Sequence, residues 1–127
     1  MESGGNYRRE IGGRGEDIAC RYLEDMGHTI LERNWRSGHL EVDIITYKAD
    51  GIHFVEVKTR FRNIQAPPQD NVDRAKQKKI AAAALRFLKD RKIFRNMECS
   101  FDVVAVTLSG NGHEIEFFEQ AFIPIYT

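Results

Sequence analysis

Cys20 and Cys99 are the only two cysteines in the chain. They form no CxxC pair and join no Cys/His cluster, which argues against a structural zinc site. One falls in a helical pattern and the other at the start of a strand pattern, so both read as small, partly buried residues. No apolar run approaches the ~18–20 residues that a membrane span needs. Met1 to Gly15 is polar, charged and glycine-rich, without the apolar stretch of a secretory signal. The expectation is a soluble cytoplasmic protein. A glycine-rich nucleotide loop such as GxxxxGK[ST] is missing, as is any groove-reading motif, so sequence-specific recognition is not expected. Formal net charge is zero, which by itself directs the protein to no polyanion.

What the chain does have is enough apolar material for one real core: 127 residues, 42% hydrophobic and 30% charged. The charge is unevenly placed. From Lys58 to Lys92 the basic residues are Lys58, Arg60, Arg62, Arg74, Lys76, Lys78, Lys79, Arg86, Lys89, Arg91 and Lys92, opposed only by Asp70, Asp73 and Asp90. From Met97 onward there is no Lys or Arg, while Glu98, Asp102, Glu114, Glu116 and Glu119 are acidic. A basic stretch followed by an acidic one can give a neutral protein one positive face; a merely solvated helix surface is the competing reading.

The pattern divides as α-β-β-β-α-β-β. Residues 1–9 read as a flexible tail and 10–127 as a single domain. A helix begins between Ile11 and Glu16 and carries Ile18, Ala19, Tyr22, Leu23 and Met26 on one face, with Gly27 as its stop. Strands follow at His28–Trp35, Leu40–Tyr47 and Ile52–Thr59, the last with apolar residues on both sides. Asp50-Gly51 is a hairpin signal. Phe61 to Asn71, with Pro67-Pro68, reads as a loop. A helix from about Asn71 to Lys92 then presents Val72, Ile80, Ala83, Ala84 and Phe87 on one face. A strand at Ser100–Leu108 returns through Ser109–Gly112 to Glu114–Phe118, and the apolar tail Ala121–Tyr126 packs down. Alternating helices and strands predict one α/β domain with a mixed central sheet flanked by helices.

The chemistry sits on the second and third strands. Side chains two apart share a face, so Glu41 and Asp43 point one way, and Glu56 and Lys58 share a face of the next strand. A two-residue loop at Ala49-Asp50 sets Asp43 opposite Glu56; one at Asp50-Gly51 sets Asp43 opposite Lys58. Either gathers three carboxylates and a lysine in one patch. Glu56 and Lys58 interrupt an apolar strand, which is costly unless they are paired or bind a metal. Hard oxygen ligands suit Mg²⁺ or Mn²⁺, which can polarise a phosphate and activate a water. An exposed strand face with cross-strand salt bridges is the purely structural reading. Lys76 falls inside the apolar face of the second long helix and needs an acidic partner or an anionic ligand. Glu16, on the edge of the first helix's face, either caps that helix or reaches the same patch.

The series Gly12-x-x-Gly15-Glu16-x-x-Ala19, Tyr22-Leu23-x-x-x-Gly27, Arg33-Asn34, Glu41-Val42-Asp43, Glu56-Val57-Lys58-Thr59-Arg60, Val72-Asp73-x-x-Lys76-Gln77 and Phe101-Asp102-Val103-Val104 resembles the YraN-like family of small bacterial proteins. The resemblance covers about residues 10 to 126. Asp43, with Glu56-x-Lys58, is similar to the signature of the restriction-endonuclease-like PD-(D/E)xK superfamily, and the family is similar in fold to archaeal Holliday-junction resolvases. The resemblance implies that Asp43, Glu56 and the Val57 carbonyl hold the metal, that Lys58 positions or activates water, and that Glu16 is the superfamily's extra acid. Lys76 matches a helical lysine near the site. Glu41 and Asp102 are left with open roles, Asp102 read mainly as structural. His39 and Ser100 depart from the pattern, where a small residue and an arginine are usual.

Two functions follow as expectations. The first is a Mg²⁺- or Mn²⁺-dependent endonuclease that hydrolyses DNA phosphodiester bonds, with branched or structured DNA as a candidate substrate and a homodimer as the working form. Its catalytic residues are Asp43, Glu56, Lys58 and Glu16, and its nucleic-acid contacts are Arg60, Arg62, Lys76 and Lys79. The second is a nucleic-acid-binding or DNA-processing accessory module without cleavage, which the same basic segment would serve.

Overall fold

The structure, a computed structural model, describes residues 4–62 and 72–123, with side chains from Gly12 onward. Helix α1 (Gly4–Asp25) precedes strands β1 (Thr29–Ser37), β2 (Leu40–Lys48) and β3 (Gly51–Phe61). Helix α2 (Arg74–Asp90) and a short 3₁₀ turn at Lys92–Phe94 lead to β4 (Cys99–Ser109) and β5 (Gly112–Phe118). The five strands form one sheet in the order β1-β2-β3-β4-β5. Only β3 and β4 run parallel, because α2 crosses over between them. This mixed sheet with two helices, in the expected order, is consistent with a restriction-endonuclease-like fold. Among the described residues no helix is long and apolar enough to cross a membrane.

The sheet separates two cores. Under α2 lie Val42, Ile45, Phe54, Ile80, Ala83, Phe87 and Phe101; under α1 lie Ala19, Leu23, Ile44, Val55, Val104 and Val106. Strand β3 feeds both, Phe54 into the first and Val55 into the second, which is why its sequence is apolar on both faces. Met26, assigned to the apolar face of α1, is 48% exposed because the helix has already ended. Of the apolar tail, Phe122 packs on Phe101 with ring centroids 5.4 Å apart; residues 124–127 lie outside the described ones, as does 63–71 of the predicted loop.

Two boundaries differ from the sequence reading by three residues or more. Residues 4–9, expected as a flexible tail, continue α1. A helix anchored by Ala19 and Leu23 extends backward at one hydrogen bond per residue, without a new nucleation cost, and each glycine costs only up to ~1 kcal/mol against alanine. Helix α2 starts at Arg74 rather than near Asn71, because the Asp73 side chain caps it, accepting from the Lys76 N–H at 2.8 Å.

Gly15 fixes how closely α1 approaches the sheet. A Cβ there would overlap the Thr59 hydroxyl and stand 2.9 Å from Thr59 Cβ on β3. Gly15→Ala is therefore expected to destabilise the fold by ~1–3 kcal/mol despite alanine's better helix propensity. Urea unfolding checks this; the penalty should shrink in a Thr59→Ala background, and an additive pair would refute the contact.

Candidate active site at the split between two strands

The hairpin register decides which carboxylates meet. Lys48 pairs with Gly51 and Ile44 with Val55, so Ala49-Asp50 is the two-residue loop. Gly51 holds φ at +135°, and a Cβ on it would overlap the Glu98 carbonyl oxygen; both the backbone conformation and the close approach require glycine there.

Pairing of β2 with β3 ends at Ile44–Val55. Beyond it β2 follows β1 as far as Leu40–Ser37, and β3 follows β4 as far as Phe61–Leu108. Where the ladder stops, the Val57 N–H donates to Asp43 Oδ2 at 2.8 Å, so a carboxylate replaces the missing strand acceptor. Strict alternation also breaks here. Val42 and Ile45, three apart, both belong to the core under α2, while Ile44 belongs to the other. The facing position on β1, Asn34, has φ +51°.

The split opens a cleft of about 450 Å³ lined by His39, Glu41, Asp43, Glu56, Lys76 and Lys79, among others. Glu56 is buried at its base, 5% exposed. Burial, then a hydrogen bond and repulsion from Asp43, push its carboxyl up to about 9, and Lys76 offsets only part of this. Lys76 Nζ stands 3.4 Å from Glu56 Oε1, so the inward-facing lysine has its acidic partner. From α1, Glu16 reaches the same neighbourhood: burial raises its pKa, a hydrogen bond with Asn34 opposes this, and the charges of Asp43 and Glu41 add to the rise. Its nearest cation is Arg33, 3.9 Å away.

The remaining candidates separate. Glu41 lines the cleft but pairs with Arg36 at 3.3 Å. Lys58 is half-buried two residues beyond Glu56 on the same strand, without an ion pair among the described residues. Arg60 donates to Thr107 Oγ1 at 3.3 Å and Arg62 pairs with Glu114 on β5. Neither lines the cleft, since four residues of strand carry Arg60 ~13 Å past Glu56. Of the four basic residues assigned to nucleic acid, the cleft holds Lys76 and Lys79.

Asp102 lies elsewhere. It is fully buried and accepts from His53 Nδ1 at 2.6 Å, Ser100 Oγ at 2.5 Å and the Gln120 N–H at 3.0 Å. The sequence reading missed His53. Its signal was available: an aspartate inside the apolar run Phe101–Leu108 demands a buried partner. Asp50, His53 and Glu119 bring ligand atoms within 4.8 Å of one another, yet Nε2 of His53 already faces Asp50 at 2.8 Å. With both ring nitrogens donating, no lone pair is left for a metal. Burial lowers the His53 pKa, but the bonds to Asp102 and Asp50 more than reverse this, to about 9. Because the folded value is raised above 6.5, the stabilisation is fully present below pH 6.5 and lost as pH rises through about 9. Asp102→Ala is expected to cost ~3–5 kcal/mol near neutral pH, measured by urea unfolding, with the difference from wild type narrowing toward pH 9–10. A constant difference across that range would contradict the ion pair.

Comparison with known proteins adds the family. The model of the family described as "Uncharacterised protein family UPF0102" matches residues 15–106. A UPF0102 protein of Bacteroides thetaiotaomicron is 37% identical over 115 residues, 91% of this chain and 93% of the relative. One from Desulforapulum autotrophicum is 39% identical over 92% and 96% of the two chains, and one from Geobacter metallireducens 40% over 91% and 94%. The chain belongs to the UPF0102 family.

Proposed function

We propose that this UPF0102 protein is a divalent-cation-dependent endonuclease of the PD-(D/E)xK type, acting on DNA phosphodiester bonds. The observation that carries the reading is the Asp43–Glu56 pair at the split of the sheet. Two carboxyl groups are forced together there, one of them buried, at the base of a cleft edged by Lys76 and Lys79. As structure alone this pair is unfavourable.

The donor set fits a hard cation. Asp43 and Glu56 offer carboxylate oxygens and the Val57 carbonyl a third, an all-oxygen set that suits Mg²⁺ or Mn²⁺; His39 also lines the cleft. Such an ion would polarise the phosphate and lower the pKa of the attacking water. The rest of the work falls to the chain. Lys58 supplies a positive charge beside the site, stabilising the charge that gathers on the phosphate. Lys76 and Lys79 hold flanking phosphates, and the cleft between β2 and β3 positions the backbone. Glu16 adds an acid from the opposite face of the sheet and orients water or a second cation.

A panel of single-stranded, duplex, flapped and four-way-junction DNA, offered with Mg²⁺ or Mn²⁺, tests the substrate. Preference for the junction would support a resolvase-like role and the homodimer that two symmetric cuts require. Salt-sensitive binding to every DNA with cutting of none would favour the accessory module.

A further inference from the structure

We infer that Lys76 is a latch on the metal site: its ammonium stands against Glu56 while the cation is absent and passes to a nucleic-acid phosphate when the cation arrives, coupling the two binding events. The inference rests on the proposed nuclease reading and extends it to the order and mutual dependence of binding.

The geometry is asymmetric. The Glu56 side chain is 6% exposed, whereas that of Lys76 is 46% exposed, with Nζ 3.4 Å from Glu56 Oε1. The Glu56 carboxyl is fixed in the middle of a sheet. The ammonium ends a flexible side chain on the first turn of α2, at the mouth of the cleft. Lys79, one helical turn on, lines the same cleft and has no acidic partner among the described residues. A cation held by Glu56 and Asp43 would meet the ammonium as a like charge at short range, and only the lysine is free to move. Its displacement carries it toward solvent, beside Lys79, where a phosphate on the cleft would take it up. By linkage, whatever nucleic acid gains from the cation, the cation gains from nucleic acid.

The test uses the full chain with Ca²⁺, a hard cation that seeks the same oxygen donors. Calorimetry gives the Ca²⁺ affinity without DNA; fluorescence anisotropy gives the affinity for a short labelled duplex in Ca²⁺ and in EDTA. In wild type, Ca²⁺ should tighten duplex binding by about 5–150-fold. Lys76→Met should bind Ca²⁺ several-fold tighter without DNA, and its duplex affinity should depend less on Ca²⁺ by a comparable factor. Lys76→Arg should restore both toward wild type, and Lys79→Met should weaken duplex binding with the Ca²⁺ dependence intact. DNA-free Lys76→Met that binds Ca²⁺ equally or more weakly overturns the latch while leaving the nuclease reading standing. Wild-type protein that binds no divalent cation overturns both.

Discussion

Asp43→Asn is expected to lower metal-dependent cutting by at least ~10²–10³-fold, the scale on which losing one charge-stabilising group in a reaction site is felt. The same change should leave DNA binding in EDTA and thermal stability close to wild type. Asparagine is the informative replacement because Asp43 has two jobs. Its carboxylate faces Glu56, and one oxygen accepts the Val57 N–H at 2.8 Å where the strand ladder ends. The amide oxygen of asparagine keeps the second job and removes the charge needed for the first. Asp43→Ala loses both, and the orphaned amide should cost a further ~1–3 kcal/mol of stability. Cutting assays and urea unfolding on the two variants separate chemistry from scaffold. Equal stability in both would show that the Val57 bond contributes nothing.

Glu56→Gln is expected to gain stability while losing metal binding. The sign follows from the raised pKa. The folded state holds the Glu56 proton up to about pH 9, the unfolded chain only to about 4.5. Folding of the metal-free protein therefore takes up a proton between those values, and the group weakens the fold progressively as pH rises from 4.5 to 9. Glutamine cannot ionise. In EDTA at pH 8 the variant should be ~1–4 kcal/mol more stable than wild type, and the difference should vanish below pH 4.5. A cation reverses the order, because it stabilises only the protein that binds it. Wild-type metal binding should also release close to one proton between pH 5 and 8, seen calorimetrically as a dependence on the buffer's ionisation enthalpy. No proton release, or a less stable glutamine variant in EDTA, would contradict the buried acid pair.

Periodicity carried much of the architecture. The α2 face Val72, Ile80, Ala83, Ala84 and Phe87 was readable from 3.6-residue spacing, and all five sit in the core under that helix. The two-sided apolarity of β3 marked it as central, and the charges at Glu56 and Lys58 stood out because they interrupt it. The hairpin register stayed open because both two-residue loops conserve facing; in the fold Lys48 pairs with Gly51. The split between β2 and β3 is likewise invisible to spacing. A strand read by itself does not reveal where it loses one neighbour and keeps the other, and that loss makes the cleft. It also explains why Lys58 and Glu41 are not gathered as tightly as Asp43 and Glu56. The basic segment left open one positive face or a solvated helix surface, and its members turn to several partners: Arg62 to Glu114, Arg86 to the Ser37 carbonyl, and Arg91 to Glu32. Charge counted along a sequence does not say which way a side chain turns.

Cutting of DNA by purified wild-type protein in Mn²⁺ and in EDTA, beside Asp43→Asn and Lys58→Ala, tests the central claim most directly. Cutting is expected in Mn²⁺, is expected to disappear in EDTA, and should fall at least ~10²-fold in both variants, with DNA binding in EDTA retained. Cutting that survives EDTA or either substitution, or wild-type protein that binds DNA in Mn²⁺ and cuts none of the panel, would contradict it.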